Sequence, residues 1–291
     1  MLLLAELYRR DGAWRVRALG QGYDTGLAGL AADFGVAVDD APPPPQTPAP
    51  PADRISLRKE LVRVSLEKRG ARGIRARVAL VLDRTGSMRA RYADGTVGRL
   101  VERLAPVAAV LDDDGELDAW TFADHCARLP SLRIPELGDW IERHVYIRSG
   151  NRQLPPLPDG SLRVPDHLVH VFGGNNEPEV IQDILRAYAA EPGDPVLVLF
   201  FSDGGVNRTK QISALLTEAA AKPLFWQFVG LGRADYGILE RFDTLPGRLV
   251  DNAGFFQVDD IDRIDDAELY DRLLSEFPQW LTEARRAGVI R

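Results

Sequence analysis

Directly after an apolar run, side chains that carry oxygen atoms occupy three alternate positions. Asp83, Thr85 and Ser87 come directly after residues 78–82, VALVL, which have the composition of a buried strand. Carboxylate and hydroxyl oxygens on a tight loop suit a hard divalent cation such as Mg²⁺. The spacing therefore predicts a cation-binding loop at the end of a strand, and metal-dependent adhesion, rather than catalysis, is the first hypothesis to test.

A second carboxylate, Asp203, follows another continuously apolar segment, residues 196–201. From residue 55 to residue 291, apolar runs alternate with helical patterns. This alternation is typical of a doubly wound α/β domain with a mostly parallel sheet covered on both faces. Ligands bind such sheets at the carboxyl ends of the strands. Asp83 and Asp203 are therefore predicted to lie at the same edge.

A third loop, residues 172–178 (FGGNNEP), opens a predicted helix. Asn175 and Asn176 in this loop could each have one of two roles, because asparagine caps helices well and its oxygen also binds cations. We predict Asn175 as a ligand, while the sequence leaves open which of the two residues caps and which coordinates.

The other elements follow from periodicity and turn signals. We predict strands at 61–66, 75–82, 117–123, 127–129, 195–202, 224–231 and 255–258, and helices at 97–111, 178–190, 209–221 and 266–284.

A proline tract divides the chain. Residues 41–51 contain seven of the 20 prolines, so residues 41–54 are predicted to be an extended linker. Before it, residues 1–40 form a short module, with two strands joined by a turn at Arg10-Asp11-Gly12 and a small helix at 27–34. After it, residues 55–291 form the α/β domain.

Bulk composition narrows the class of protein. The net charge of −7 favours neither nucleic acid nor an anionic membrane as a partner. Cys126 is the one cysteine, so an intrachain disulfide is excluded and a reducing compartment is favoured. No apolar run approaches the roughly 20 residues of a membrane span, and the first residues lack a basic signal-type segment. We therefore expect a cytoplasmic protein without membrane insertion.

The motifs occur in the order of a known family. Residues 78–88, VALVLDRTGSM, resemble the D-x-S-x-S motif of a von Willebrand factor A (vWA) domain with a metal-ion-dependent adhesion site (MIDAS). The segments GGNNEP and LFFSDGG resemble its threonine loop and second aspartate strand. The resemblance spans roughly residues 70–285. It implies that Asp83, Thr85 and Ser87 are primary metal ligands with Asp203 close by, and it places Asn175 where the family usually has threonine.

The resemblance also bears on cofactor and partner. It implies a divalent cation, most simply Mg²⁺ with Mn²⁺ or Ca²⁺ as alternatives, and a protein partner whose acidic group completes the metal shell. Residues 4–36 resemble the C-terminal end of a TerD-type tellurium-resistance domain. The combination resembles the TerF-like, vWA-containing proteins of tellurite and chemical-stress operons. It implies a role beside other Ter-type proteins in a stress-response assembly, not direct tellurite chemistry.

Two other functions stay open. A magnesium-dependent hydrolase or phosphatase of the haloacid-dehalogenase type also places an aspartate after its first strand, but it needs a second acid two residues later, where this chain has Thr85. A phosphate-binding G-x-x-x-x-G-K-[ST] motif does not occur. We therefore expect a protein that is not an enzyme and has no catalytic residues. The other open function is a metal-free scaffold, which is considered because Asn175 replaces the threonine that the family usually has.

Overall fold

The computed structural model describes residues 2–10, 13–22, 51–145, 168, 171–188, 194–242 and 247–291. The chain divides into two compact units, Met1–Pro50 and Pro51–Arg291. In the first unit, strand β1 (Leu2–Arg10) pairs antiparallel with strand β2 (Ala13–Gly22). This confirms the predicted pair of strands, while the predicted helix at 27–34 lies outside the described residues.

The second unit alternates strands and helices. In chain order its main elements are α1 (Pro51–Lys68), β3 (Arg77–Asp83), α2 (Arg89–Ala93), α3 (Thr96–Leu111), β4 (Leu117–Phe122), β5 (Cys126–Leu132), α4 (Leu137–His144), α5 (Glu177–Ala187), β6 (Val196–Ser202), α6 (Thr209–Ala219), β7 (Leu224–Leu231), α7 (Ile238–Arg241), β8 (Ala253–Val258), α8 (Asp266–Leu273) and α9 (Phe277–Arg286). Short 3₁₀ turns at Gly86–Met88 and Ile134–Glu136 precede α2 and α4.

The sheet has the strand order β5-β4-β3-β6-β7-β8. Every neighbouring pair is parallel except β4 and β5, which form an antiparallel edge. From β3 the chain runs through α3 to β4 on one side, whereas β6 lies on the other side and leads through α6 to β7. The pair β3–β6 is therefore the topological switch point, where open α/β sheets form their ligand crevice.

Both faces of the sheet are buried because side chains alternate along each strand. Val78, Leu80 and Leu82 of β3 belong to one hydrophobic cluster, which also contains apolar residues of α1, α3, α8 and α9. Ala79 and Val81 belong to the other cluster, with apolar residues of α5 and α6. This arrangement confirms the predicted doubly wound, mostly parallel α/β fold.

The predicted strand at 61–66 is wrong. These residues lie within α1, which begins at Pro51 inside the segment predicted as linker. A strand would place Val62, Val64 and Leu66 on one face. Instead, Val62 and Leu66 are buried one helical turn apart, whereas Val64 is 38% exposed. The burial follows the helical period, and the short apolar run resembled a strand only because Val64 adds an apolar residue to the helix surface.

The predicted helix at 266–284 is two helices, α8 and α9, that are separated by residues 274–276. Pro278 lies in the first turn of α9. A proline there has no N–H to donate, and its ring would clash with a preceding helical carbonyl, so one continuous helix is disfavoured. Helix α4 was not predicted. Among the described helices, none is both long and apolar enough to cross a lipid bilayer.

Candidate metal centre

Asp83 ends β3 and is completely buried. One carboxylate oxygen, Oδ1, accepts a hydrogen bond from the Thr85 backbone N–H at 2.8 Å. The other, Oδ2, accepts from the Ser202 hydroxyl at 2.8 Å. The backbone carbonyl of Asp83 accepts from the Tyr92 hydroxyl at 2.9 Å. These contacts fix the carboxylate between the loops that follow β3 and β6.

The two hydroxyls of the motif connect Asp83 to the second aspartate. Thr85 Oγ1 and Ser87 Oγ lie 2.9 Å apart, and Ser87 Oγ donates to Asp203 Oδ1 at 2.8 Å. Thr85 is buried, whereas Ser87 lies at the surface. The structure therefore brings Asp83, Thr85, Ser87 and Asp203 together as one set of oxygen atoms at the β3–β6 switch point, open to solvent on the Ser87 side.

Burial raises the pKa of Asp83 to about 6, since the ionised form loses its hydration there. The hydrogen bonds from Thr85 and Ser202 oppose this shift, and the nearby charge of Asp203 adds to it. The ionised Asp83 carboxylate is therefore short of compensating positive charge, which a bound cation would supply.

Arg91 was not identified from the sequence. Its guanidinium Nη1 lies 3.1 Å from Asp203 Oδ2, and its Nη2 donates to the Leu231 carbonyl at 2.9 Å. Arg91 therefore joins the loop after β6 to the end of β7 and partly neutralises Asp203. The position of Arg91 four residues after Ser87 could have suggested that it lies near the site. Its contact with Asp203, 112 residues away, depends on the tertiary fold.

The glycine–asparagine loop is tied to both aspartate loops. The Gly86 N–H donates to the Gly173 carbonyl at 3.1 Å. Asn175 Nδ2 donates to the Gly204 carbonyl at 2.8 Å and to Glu177 Oε1 at 3.1 Å. Asn175 therefore lies beside the Asp203 loop, where a ligand role was predicted.

Asn176 lies on the other side of this loop. Its Nδ2 donates to the Asp124 carbonyl at 2.9 Å and to Glu179 Oε2 at 2.7 Å. It occupies the N-cap position of α5, but its side chain makes no capping hydrogen bond. The geometry thus separates the two amides. Asn175 contacts the aspartate loop, and Asn176 holds the turn between β4 and β5.

Glu177, in the first turn of α5, is completely buried. Its Oε1 accepts from Asn175, while its Oε2 has no hydrogen-bond partner among the described residues. Burial raises the pKa of Glu177, and the hydrogen bonds that its carboxylate accepts from its own backbone N–H and from Asn175 lower it. An acid in the first turn of a helix complements the helix dipole, but the burial of Glu177 beside Asn175 was not predicted from the sequence.

The donor set suits a hard cation. Asp83, Thr85, Ser87 and Asp203 offer oxygen atoms, with two carboxylates among them, and hard cations such as Mg²⁺ favour such ligands. Within the described ranges, no group of three or more His, Cys, Asp and Glu side chains is arranged to hold a metal. Two of the four candidate ligands are hydroxyl side chains, so this site differs in composition from a cluster of His, Cys, Asp and Glu residues.

Other reactive side chains have structural explanations. The Ser202 hydroxyl is engaged with Asp83 and accepts from the Gly204 N–H at 3.2 Å. Burial raises the pKa of the half-buried Cys126 thiol to about 12, so it is protonated and a poor nucleophile at neutral pH. His167 and His170 lie outside the described residues.

Known proteins resemble both units. Residues 75–290 match the model of the vWA domain found in the TerF C terminus, and residues 1–34 match that of the TerD domain. Tellurium resistance protein TerA of Alcaligenes sp is 43% identical over 75 residues, 23% of this chain and 22% of TerA. TerD of Serratia marcescens is 51% identical over 35 residues, 12% of this chain and 18% of TerD.

A solved structure, proximal thread matrix protein 1 from the mussel byssus with a zinc-occupied MIDAS motif, is 14% identical at a TM-score of 0.45, covering 69% of this chain and 46% of that one. The protein YcbR of Bacillus subtilis (strain 168) is 40% identical over 239 residues, 81% of this chain and 90% of YcbR. This similarity and the match over residues 75–290 confirm the resemblance drawn from the motifs. The chain belongs to the family of vWA domains found at the C terminus of TerF.

Proposed function

We propose that this protein is a metal-dependent protein-binding module. One observation carries the proposal, namely the convergence of the Asp83, Thr85, Ser87 and Asp203 oxygens at the β3–β6 switch point. These four residues would hold Mg²⁺ or Mn²⁺, with Asn175 beside them. The bound cation would supply a Lewis-acidic position to which a carboxylate of a protein partner can bind.

The relatives support a setting for this binding. TerA and TerD are tellurium resistance proteins by name, and both match part of this chain. We infer that the partner is another Ter-type protein in a cytoplasmic response to tellurite or chemical stress. An interaction role rather than an enzymatic one is supported by Thr85, which stands where a phosphatase of the type considered would need an acid.

A metal-free scaffold is the second candidate, and the Arg91–Asp203 ion pair favours it. The guanidinium already places one positive charge beside Asp203 at 3.1 Å. If this charge suffices, the vWA unit binds its partner without a cation. The two candidates differ in a simple observable, the response of the protein to divalent metal.

The first prediction concerns thermal stability. Mn²⁺ at ten times its Kd should stabilise the EDTA-stripped protein by about 1.4 kcal/mol, since a ligand that binds only the folded state adds RT ln(1 + [L]/Kd). Ser87→Ala should abolish this increase in Tm, because it removes a hydroxyl between Thr85 and Asp203. Ser87 lies at the surface, so the variant should still fold.

Ser275→Ala is the matched control. Ser275 is also exposed, lies between α8 and α9, and donates only to a carbonyl of its own turn. It should keep the wild-type response. A wild-type Tm that does not change with millimolar Mn²⁺ would support the metal-free scaffold. Binding of a purified TerD-type protein, compared in Mg²⁺ and in EDTA, then tests whether the metal is needed for the interaction.

A further inference from the structure

Asn175 has a defined amide orientation. Its Nδ2 faces two groups, the Gly204 carbonyl at 2.8 Å and Glu177 Oε1 at 3.1 Å. A carbonyl accepts hydrogen bonds and cannot donate them, and the same holds for an ionised carboxylate. Both N–H bonds of the amide are therefore used by Gly204 and Glu177, and Oδ1 is the end of the amide left for another partner.

Asn175 also lies between the loops that carry the candidate metal ligands. The loop before it is held to Gly86 through the Gly173 carbonyl. On the other side is Gly205, which has a positive φ of 75°, and a Cβ atom there would lie 3.2 Å from Asn175 Nδ2. The amide is thus packed closely against the loop of Asp203, and its freedom to turn is small.

The burial of Glu177 needs an explanation other than helix stability. A carboxylate taken out of water costs free energy unless its oxygens are hydrogen-bonded. Glu177 is 0% exposed and one of its oxygens has no partner among the described side chains and backbone groups. An acid can complement the helix dipole without being fully buried, as the partly exposed Glu179 of the same turn does. The contact that distinguishes Glu177 is the one with Asn175.

We propose that Glu177 is a positioning residue of the metal centre, which fixes the Asn175 amide so that Oδ1 is presented to the cation. The inference rests on the proposed function and extends it by one residue outside the ligand set. Groups that orient metal ligands through hydrogen bonds commonly affect metal affinity by about 10- to 100-fold when they are changed.

The test measures Mn²⁺ affinity of the full chain by electron paramagnetic resonance after EDTA treatment. Glu177→Met keeps the length of the side chain and removes the acceptor, so the affinity should fall about tenfold. Glu177→Gln should stay close to wild type, because its carbonyl oxygen can accept the same hydrogen bond from Asn175.

The Asn175→Thr variant separates a positioning role of Glu177 from a general effect on stability. In Asn175→Thr the ligand is a hydroxyl and there is no amide to orient, so adding Glu177→Met should leave the affinity unchanged. An equal loss in both backgrounds would overturn the inference, because Glu177 would then act without Asn175. Exchange of the Asn175 side-chain N–H protons in the wild-type protein gives a measurement that needs no variant. They should exchange more slowly than those of the exposed Asn207, and equally rapid exchange would contradict the fixed amide that the inference requires.

The outcomes also distinguish this inference from the proposed function. A wild-type protein that binds no Mn²⁺ overturns both. Mn²⁺ binding that is lost in Ser87→Ala but unchanged in Glu177→Met keeps the metal centre and overturns the role of Glu177. Loss in Glu177→Met, recovery in Glu177→Gln and no effect in the Asn175→Thr background support both.

Discussion

Asp203 is the residue at which a neutral hydrogen-bond donor and a positively charged side chain meet. Its Oδ1 accepts from the Ser87 hydroxyl, and its Oδ2 pairs with the Arg91 guanidinium. The side chain of Asp203 is 7% exposed, so little water screens this pair. The net negative charge of the candidate centre is consequently smaller than its two carboxylates suggest, and this limits its affinity for a cation.

Removing the charge of Arg91 should therefore strengthen metal binding. Arg91→Met leaves Asp203 without its ion pair, and we expect the affinity for Mn²⁺ to rise about fivefold, roughly 1 kcal/mol. Arg89→Met is the matched control, because Arg89 lies two residues away in α2, is exposed, and stacks over Phe172. Titration of both EDTA-treated variants checks this. Equal affinities in wild type and Arg91→Met would show that Arg91 does not tune the site.

At the scale of elements, the turn after β6 places Asp203 by close approach of two backbones. Gly204 has a positive φ of 104°, and a Cβ atom there would lie 2.6 Å from the Ala234 Cβ and 3.1 Å from the Asp235 carbonyl oxygen. L side chains disfavour this backbone region, and the Ala234 side chain and the Asp235 backbone leave no room. The turn therefore requires glycine both for its conformation and for its space.

Gly204→Ala should destabilise the protein by about 3 kcal/mol, because overpacking adds to the cost of the positive φ. Gly70→Ala isolates the backbone cost, since Gly70 has a φ of 66° and nothing within 4 Å of the added carbon. It should lose about 1 kcal/mol. Urea unfolding measures both values. Equal losses would mean that the turn shifts to accept the side chain without strain.

Elements were predicted accurately where the signal for them lies in the local sequence. The central strands β6 and β7 are predominantly apolar, and the sequence predicted both to within one residue. The error at 61–66 arose where a helix and a strand give the same short apolar pattern. The aspartates were predictable because Asp83 directly follows an apolar run and Asp203 follows another with only Ser202 between. Arg91 and Glu177 were not, because their partners are set by the way the loops after β3, β6 and before α5 pack together.

At the scale of the whole molecule, stability against acid unfolding depends on a carboxylate at the strand ends opposite the candidate metal centre. Asp118 lies near the start of β4 and accepts hydrogen bonds from Tyr188 Oη at 2.6 Å, Arg77 at 2.7 Å, and both Arg128 and Ser131 at 3.0 Å. Burial alone would raise the pKa of Asp118. The Tyr188 hydrogen bond, the charge of Arg77 and the other two donors outweigh it, so the pKa lies below its usual 3.8.

This lowered pKa gives a stability contribution that depends on pH. The folded state holds ionised Asp118 more strongly than the unfolded chain does, so the contribution is complete above a pH of about 3.8 and is lost as the pH falls through the folded-state pKa. Asp118→Asn should therefore reduce the free energy of unfolding by about 2–3 kcal/mol at pH 6. The difference from wild type should shrink toward pH 2.

Urea unfolding at several pH values measures this difference. Asp139→Asn is the control, since Asp139 is exposed on α4 and its replacement should change the free energy of unfolding by less than about 0.5 kcal/mol. A difference between Asp118→Asn and wild type that is constant from pH 6 to pH 2 would show that the carboxylate charge of Asp118 contributes nothing to acid stability.

The hydrogen bond between Ser87 and Asp203 joins residues 116 positions apart. During synthesis, the first motif leaves the ribosome long before the second aspartate exists. Closing so large a loop costs chain entropy that the pairing of β3 with β6 must first offset. We therefore expect the four candidate ligands to come together only after β3 and β6 have paired. On this expectation a cation held by both loops does not nucleate the fold, and its capture marks a chain whose sheet is already assembled.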